Sequence, residues 1–344
     1  MIAKNKCEGC GGTLIYDPDK NGLYCENCGS TKTIQTNLYA KTKFLSQDSM
    51  AEKADGVDHN VKCESCGASL TSGDIVDTKC PYCGSNQINA VNEGLEYVPD
   101  SIIPFTISKR KAIGLLKIWL KKRKFAPNDL KKKANVNSLQ GLYFPCWLYD
   151  YETYTRYQGI GVREYRDSDG DTHVTRTRIS GDLPGKYQNQ IEPASSVLQE
   201  MSIEQFRDYT NIQQHEYDSG YLLGFSTANL ENDVVNAFTR ERSQKSVEIE
   251  ENIKKKLNYD RYENFVTQTN FTNVMWSYTL LPVWFAEYKY KEKTYKILVN
   301  GRTGTVIGKA PKSFWKIFFL VIGIILGVGG IAALVAMAEM GMFK

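Results

Sequence analysis

The sequence has 344 residues, of which 42% are hydrophobic and 24% are charged, and its formal net charge is +4. This composition excludes a wholly disordered chain, because it supplies enough apolar side chains to build a sizeable core. The small net charge does not by itself indicate a nucleic-acid-binding protein. The first six residues lack the apolar core of a secretory signal peptide, so nothing in them predicts export.

Eight of the nine cysteines form four Cys-x-x-Cys pairs, each followed by glycine. The pairs form two sets, and the second repeats the first at offsets of 56 and 55 residues. Zinc binds four thiolates in a tetrahedron, and a two-residue spacing lets one tight turn aim both sulfurs at one ion. Glycine allows the left-handed backbone that such a turn needs. The sequence therefore predicts two structural Zn²⁺ ions, bound by Cys7, Cys10, Cys25 and Cys28 and by Cys63, Cys66, Cys80 and Cys83.

The two sets predict zinc ribbons at 1–30 and 61–90, joined by a polar linker at 31–60. A redox or disulfide role is the alternative, but a chain without an export signal favours metal. Protein sulfur would fill all four positions on each ion, so the metals are expected to be structural and not catalytic. The ribbons lack a basic cluster with interleaved aromatics, which favours protein over nucleic acid as their partner.

A first α+β unit is predicted at 91–190, beginning with a helix capped by Ser108 that runs to about Lys124. The segment 109–133 contains eleven Lys or Arg residues and one acid, and its apolar residues share one helical face. Three interpretations stay open. The helix packs its apolar stripe on the core, lies near anionic lipid, or binds a nucleic-acid backbone.

A less obvious internal repeat lies further along the chain. The segment Tyr143-Phe-Pro-Cys-Trp-Leu-Tyr-Asp-Tyr151 aligns with Leu280-Leu-Pro-Val-Trp-Phe-Ala-Glu-Tyr288, 137 residues later. Each copy follows a helical segment and begins a β-prone stretch. We therefore predict an α+β fold class: two small zinc ribbons with four cysteines each, followed by two related α+β units with antiparallel sheets, at 91–190 and 191–312. Cys146 is expected to be a small buried core residue.

A C-terminal transmembrane helix completes the predicted architecture. Residues 317–338 contain no charged side chain, and their length matches the hydrocarbon core of a bilayer. Lysines concentrate before this run, which predicts a single-pass anchor at 313–344 with the N-terminal domains in the cytoplasm. The spacing of Gly323 and Gly327 is compatible with helix pairing, and so with a homo- or hetero-oligomer. The alternative is that these glycines are incidental.

No enzyme motif is complete, so we expect a protein that is not an enzyme. The Gly304–Ala310 stretch looks like a phosphate loop but has three residues between its glycines and lacks the Ser or Thr that binds magnesium. The three histidines are scattered along the chain, and no Gly-x-Ser-x-Gly is present.

Together these features resemble a family of bacterial double zinc-ribbon, single-pass membrane proteins of the YdjG type, often labelled primosomal or helicase-like. The residues behind the resemblance are the four knuckles, Tyr221–Phe225, Leu281–Trp284 and Lys293–Gly304 with the apolar run that follows. The resemblance implies association with SPFH-domain (flotillin-like) and PspA-like membrane-stress proteins. The replication label finds no support in the residues, because every helicase nucleotide motif is absent.

Two functional hypotheses follow from the sequence. The first is a membrane-anchored zinc-ribbon adaptor that recruits SPFH-domain and PspA-like partners to the membrane in an envelope-stress response. The second is a membrane-tethered, replication-associated protein that binds nucleic acid through the basic segment 109–133. A hydrolase or helicase would need an ATP site, which no motif provides.

Overall fold

A computed structural model describes residues 6–50, 98–127, 139–195, 209, 212–228, 230–290, 293–311 and 313–339, with short strands at Asn60–Cys63, Ser69–Thr71 and Ile88–Val91. Only the backbone is described for those three strands and for residues 287–290, 293–294, 317 and 330–339. The domain ranges given above stay predictions.

Strands dominate the described part of the chain. In chain order the elements are β1 Leu14–Asp17, β2 Gly22–Cys25, β3 Thr31–Lys32, β4 Lys43–Phe44, β5 Asn60–Cys63, β6 Ser69–Thr71, β7 Ile88–Val91, β8 Ser101–Ile102, α1 Lys109–Lys122, β9 Gln140–Arg166, β10 Thr172–Pro193, β11 His215–Glu216, a 3₁₀ turn Ser219–Leu222, β12 Ser226–Thr227, α2 Val234–Leu257, β13 Arg261–Tyr290, β14 Lys293–Asn300, β15 Val306–Gly308 and α3 Phe314–Glu339.

One large sheet forms the centre of the molecule, with strand order β10-β9-β13-β14-β15 and short strands added at its flanks. The predicted α+β class with a separate antiparallel sheet in each unit is therefore wrong, since strand exceeds helix and both units contribute to this sheet. The physical reason is the length of β9 and β13, which run for 27 and 30 residues and pair with each other along most of that length.

The repeat detected in the sequence lies at a pseudo-two-fold axis of this sheet. β9 and β13 run antiparallel, and Phe144 pairs with its own repeat equivalent, Leu281. A residue can pair with its own equivalent only where the axis passes between the two strands. The two copies are therefore related by a rotation about this point.

Short strands cross over between the two halves. β8 precedes α1, yet it pairs in parallel with β13, through Ser101↔Thr279. β12 precedes α2 and pairs in the same way with β9, through Ser226↔Leu142. These pairs are equivalent under the same pseudo-symmetry, so each half completes the sheet of the other and the halves interlock.

Two tryptophans fix the helices to this interlocked sheet. Trp147 donates its indole N–H to the carbonyl of Asn232 at 2.9 Å, directly before the N-cap of α2. Trp284 donates to the carbonyl of Ile107 at 2.7 Å, directly before the N-cap of α1. Each tryptophan thus holds the start of the helix that belongs to the other half.

The first helix starts where the sequence predicts, although the side chain of Ser108 forms no capping hydrogen bond. α1 follows Ser108 and buries Ala112, Leu116 and Leu120 on one face. Its apolar stripe therefore packs on the core, which is the first of the three interpretations given for this helix. α2 follows Asp233, whose carboxylate accepts the backbone N–H of Asn236. This bond satisfies one of the donors left open at a helix start.

The segment predicted to cross a membrane forms α3. Within the described part of the chain, no helix combines the length and the apolar character needed to span a bilayer. The predicted single-pass anchor at 313–344 and the cell-membrane localisation are contradicted by this finding.

Beyond the two-fold centre, three strands continue together as a long arm, formed by residues 152–166 of β9, 172–187 of β10 and 261–272 of β13. α2 packs on one face of the strands, where Phe238 contacts the rings of Tyr151 and Phe271. The opposite face of the arm is exposed, as Tyr154 and Val266 show at 42% and 54% exposure.

Candidate metal centre

Two equivalent turns build the first cysteine cluster. In one, the N–H of Gly11 donates to the carbonyl of Cys7, and in the other the N–H of Gly29 donates to that of Cys25. Both glycines have positive φ, of 69° and 77°, which confirms the predicted left-handed turn after each knuckle. The hairpin β1–β2 joins the turns and pairs Leu14 with Cys25.

The four sulfurs meet at one point, as the spacing of the knuckles predicts. The Sγ atoms of Cys7, Cys10, Cys25 and Cys28 lie within 4.8 Å of one another. Cys7 and Cys28 are 3.6 Å apart and Cys10 and Cys25 are 3.5 Å apart, sulfur to sulfur. A tetrahedron with Zn–S bonds of ~2.3 Å has edges of about 3.8 Å, whereas a disulfide bond is about 2.05 Å. The cluster therefore fits a tetrahedral metal ion and not a pair of disulfides.

Polar groups favour the thiolate form of two of the four cysteines, Cys7 and Cys28, whereas the pKa of Cys25 is raised to about 11. The hydroxyl of Ser30 lies 3.2 Å from the sulfurs of both Cys7 and Cys28. Its hydrogen bond lowers the pKa of Cys7 to about 6 and also lowers the pKa of Cys28. The amide of Asn27 donates to Cys10 at 3.5 Å. Since metal ligands must be deprotonated, these contacts suit a thiolate metal site.

The sequence did not single out Ser30 or Asn27 as contributors to this site. For Ser30 a signal was present, because the Gly-Ser step after the second knuckle recurs at Gly84-Ser85 in the other cysteine set. Asn27 has no counterpart, since tyrosine occupies the same place between Cys80 and Cys83.

The ribbon is joined to the main core. Tyr16 of β1 donates its hydroxyl to the carbonyl of Phe105 at 3.1 Å, and its ring packs edge-on against Tyr221. The N–H of Tyr16 also bonds to the carbonyl of Leu223 at 2.8 Å. At the surface, Lys111 of α1 reaches Asp19 at 2.6 Å. The cysteine cluster thus supports a hairpin whose apolar side chains are part of the protein core.

The second predicted site lies outside the described residues. Cys63 falls in β5, whose backbone pairs with β6 and β7. Cys66, Cys80 and Cys83 are not described, so the second Zn²⁺ ion stays a prediction. Cys146 is fully buried in the sheet, as expected, and burial raises the pKa of its thiol well above the usual value.

Comparison with known proteins gives one clear similarity. The chain is 26% identical over 325 residues to a protein of Bacillus subtilis (strain 168) named "Uncharacterized protein YdjG", and the match covers 92% of each chain. Neither a family model nor a solved structure matches the chain. The similarity agrees with the resemblance drawn from the motifs, while membership of that family stays a prediction.

Proposed function

We propose that the chain is a zinc-stabilised, non-catalytic adaptor that binds other proteins. The supporting observation is the cysteine quartet, which supplies all four ligands of a tetrahedral ion. A metal bound in this way has no open position for water or substrate, so its contribution is to hold the ribbon together. The ribbon in turn is packed into the core beside Tyr221.

The exposed face of the arm is the proposed partner surface. Tyr154, Val174 and Val266 project from its three strands on the same side, and each is at least 41% exposed. Charged side chains on this face are paired across strands, as in Arg156–Asp182 at 3.5 Å and Arg176–Glu263 at 3.2 Å. Apolar side chains among balanced charges suit a protein surface better than a polyanion.

The partners proposed for testing are those implied by the family resemblance, an SPFH-domain (flotillin-like) protein and a PspA-like protein. Purified full-length chain is mixed with each, and binding is measured by pull-down and by calorimetry. We expect the double variant Tyr154→Glu/Val266→Glu to weaken binding at least about tenfold, because it places charge in the apolar part of the interface.

The matched control for this experiment is Val247→Glu. Val247 is 59% exposed on α2, which packs on the opposite face of the strands. Its substitution should leave binding unchanged. Equal binding by the arm variant and the wild type would contradict the proposed surface, and failure of both partners to bind would contradict the adaptor assignment.

A second candidate function, nucleic-acid binding, is favoured by the outer face of α1. Lys117 and Lys121 are exposed there, and no described residue forms an ion pair with either. If this face binds a duplex, affinity should fall steeply with salt, and Lys117→Glu/Lys121→Glu should reduce the salt slope by about 0.9 for each lost phosphate contact. Absence of binding to a DNA or RNA duplex at low salt would exclude this candidate.

A further inference from the structure

A polar cavity of about 380 Å³ lies where residues 38–41 approach the main sheet. Its lining comes from four separate parts of the chain, which no sequence motif connects. The polar side chains of the lining include Tyr39, Lys41, Asp150, Asn189, Gln213 and Gln214. A cavity of this volume is large enough for a small metabolite.

An ion pair between a buried lysine and a half-buried aspartate forms one wall of the cavity. The side chain of Lys41 is only 5% exposed, and its Nζ donates to Asp150 Oδ1 at 3.0 Å and to Asn189 Oδ1 at 2.5 Å. Burial lowers the pKa of Lys41, although Asp150 opposes this effect. Removing two charges from water usually costs more than their attraction returns, so a buried pair is weak evidence for a stabilising role.

The backbone bends to place Asn189 beside this pair. The pairing of β10 with β9 shifts register between Tyr187 and Gln190, and Asn189 adopts a left-handed conformation with φ of 49°. Its N–H donates to Asp150 Oδ1 at 2.6 Å. Such bulges commonly aim a side chain at a functional site.

A chain of buried hydrogen bonds holds the wall in place. Gln214 donates Nε2 to Asn189 Oδ1 at 2.7 Å and accepts the hydroxyl of Ser101 at 3.0 Å. Ser101 also contacts Thr279 at 2.7 Å, and both residues are fully buried in the sheet. The network reaches from the cavity into the two-fold centre and pre-organises the polar groups of the site.

We propose that this cavity binds a free α-amino acid as its zwitterion, with the carboxylate on Lys41 and the ammonium on Asp150. The wall is neutral as a whole, so a ligand with a net charge would leave that charge uncompensated. An α-amino acid places its nitrogen about 2.5 Å from its carboxyl carbon. One molecule can therefore reach both members of a pair that are in direct contact, as Lys41 and Asp150 are. The four groups then alternate in sign around a square.

The atoms that would meet the ligand are available. An ammonium has three N–H groups, and the described bonds of Lys41 use two of them. Asp150 accepts both of its described bonds at Oδ1, and among described residues none bonds to Oδ2. Tyr39 and Gln213 border the rest of the cavity and would face the side chain of the amino acid.

The test is a titration of the full-length protein with the twenty L-amino acids one at a time, followed by calorimetry and thermal shift. We expect a subset to bind saturably, while the matching decarboxylated amine and N-acetylated acid bind at least about tenfold more weakly. Asp150→Asn and Lys41→Met should also weaken binding at least about tenfold.

Lys43→Met is the matched control, because Lys43 forms a similar pair with Asp100 at 2.5 Å outside the cavity lining. It should bind the amino acid with the wild-type affinity. If Lys41→Met fails to fold, Gln213→Trp tests the proposal instead. Gln213 is exposed at the cavity, so the indole of the introduced tryptophan would block entry of the amino acid. Binding by none of the amino acids, equal binding of the N-acetylated acid, or unchanged binding in Gln213→Trp would overturn the proposal.

Discussion

Replacing Cys25 by serine is expected to lower the zinc content of the purified full-length protein by one equivalent. A neutral hydroxyl does not replace a thiolate as a zinc ligand, and three sulfurs would leave the tetrahedron open. Zinc content is measured by elemental analysis after gel filtration. The test is whether the variant contains one equivalent of zinc less than the wild type. This difference does not depend on whether the second cysteine set binds another ion.

The same variant should lose stability as well as metal. Zinc that binds only the folded state stabilises it by about 4 kcal/mol when the free ion is ~1,000-fold above its Kd. Cys25 is fully buried at the point where β2 joins the knuckle, and the same hairpin contributes Tyr16 to the core. Denaturant unfolding should therefore show a lower midpoint, and limited proteolysis should cleave within residues 6–32.

Cys146→Ala is the matched control for this experiment. Cys146 is also fully buried, but it lies in the sheet and is not one of the clustered sulfurs. It should retain the full zinc content and show only the modest loss of stability that follows from a small cavity. Equal zinc content in Cys25→Ser and the wild type would rule out the first site.

The cysteine spacing was enough to predict this site, because a Cys-x-x-Cys-Gly turn is a local structure. Each turn needs only its own residues, and the positive φ of Gly11 and Gly29 is the conformation that the sequence anticipates. Residues that approach from elsewhere, such as Asn27 beside Cys10, depend on how the two turns meet. Spacing within one knuckle does not specify that arrangement.

The repeat was visible in the sequence, but its consequence for the fold was not. Pro145 and Trp147 have identical equivalents in Pro282 and Trp284, so the strands at the centre could be recognised as copies. The segments leading into the helices, which begin at Ser101 and Ser226, share almost no other residue. Each of these segments pairs with a strand of the other half through backbone hydrogen bonds, which do not depend on particular side chains.

The polar cavity could not be predicted for a similar reason. Lys41 lies in a stretch that reads as a polar linker, and Asp150 and Asn189 belong to two different strands. Because most lysines are exposed to solvent, a lysine between two predicted ribbons is expected to be solvated. Only the path of residues 38–41 over the sheet brings its side chain to Asp150.

Replacing either of the two equivalent tryptophans by alanine is expected to cost about 3–5 kcal/mol of unfolding free energy. Both are nearly or wholly buried, with Trp147 packed edge-on against Trp276 and Trp284 packed against Phe105. Phenylalanine in either place keeps most of the apolar contact but leaves a partly buried carbonyl before a helix without its donor, at a cost of about 1 kcal/mol. Urea unfolding with a constant m value measures each difference.

The pseudo-symmetry also predicts how the losses of unfolding free energy in the Trp147 and Trp284 variants compare with each other. Trp147→Phe and Trp284→Phe should lose similar amounts, because each removes the same bond at an equivalent helix start. Trp276→Phe is the matched control, since its indole nitrogen is buried with no partner among the described residues and its loss should cost far less. If Trp276→Phe were as destabilising as the other two, the bonds to Asn232 and Ile107 would not be what fixes the helices, and ring packing alone would account for the stability of the centre.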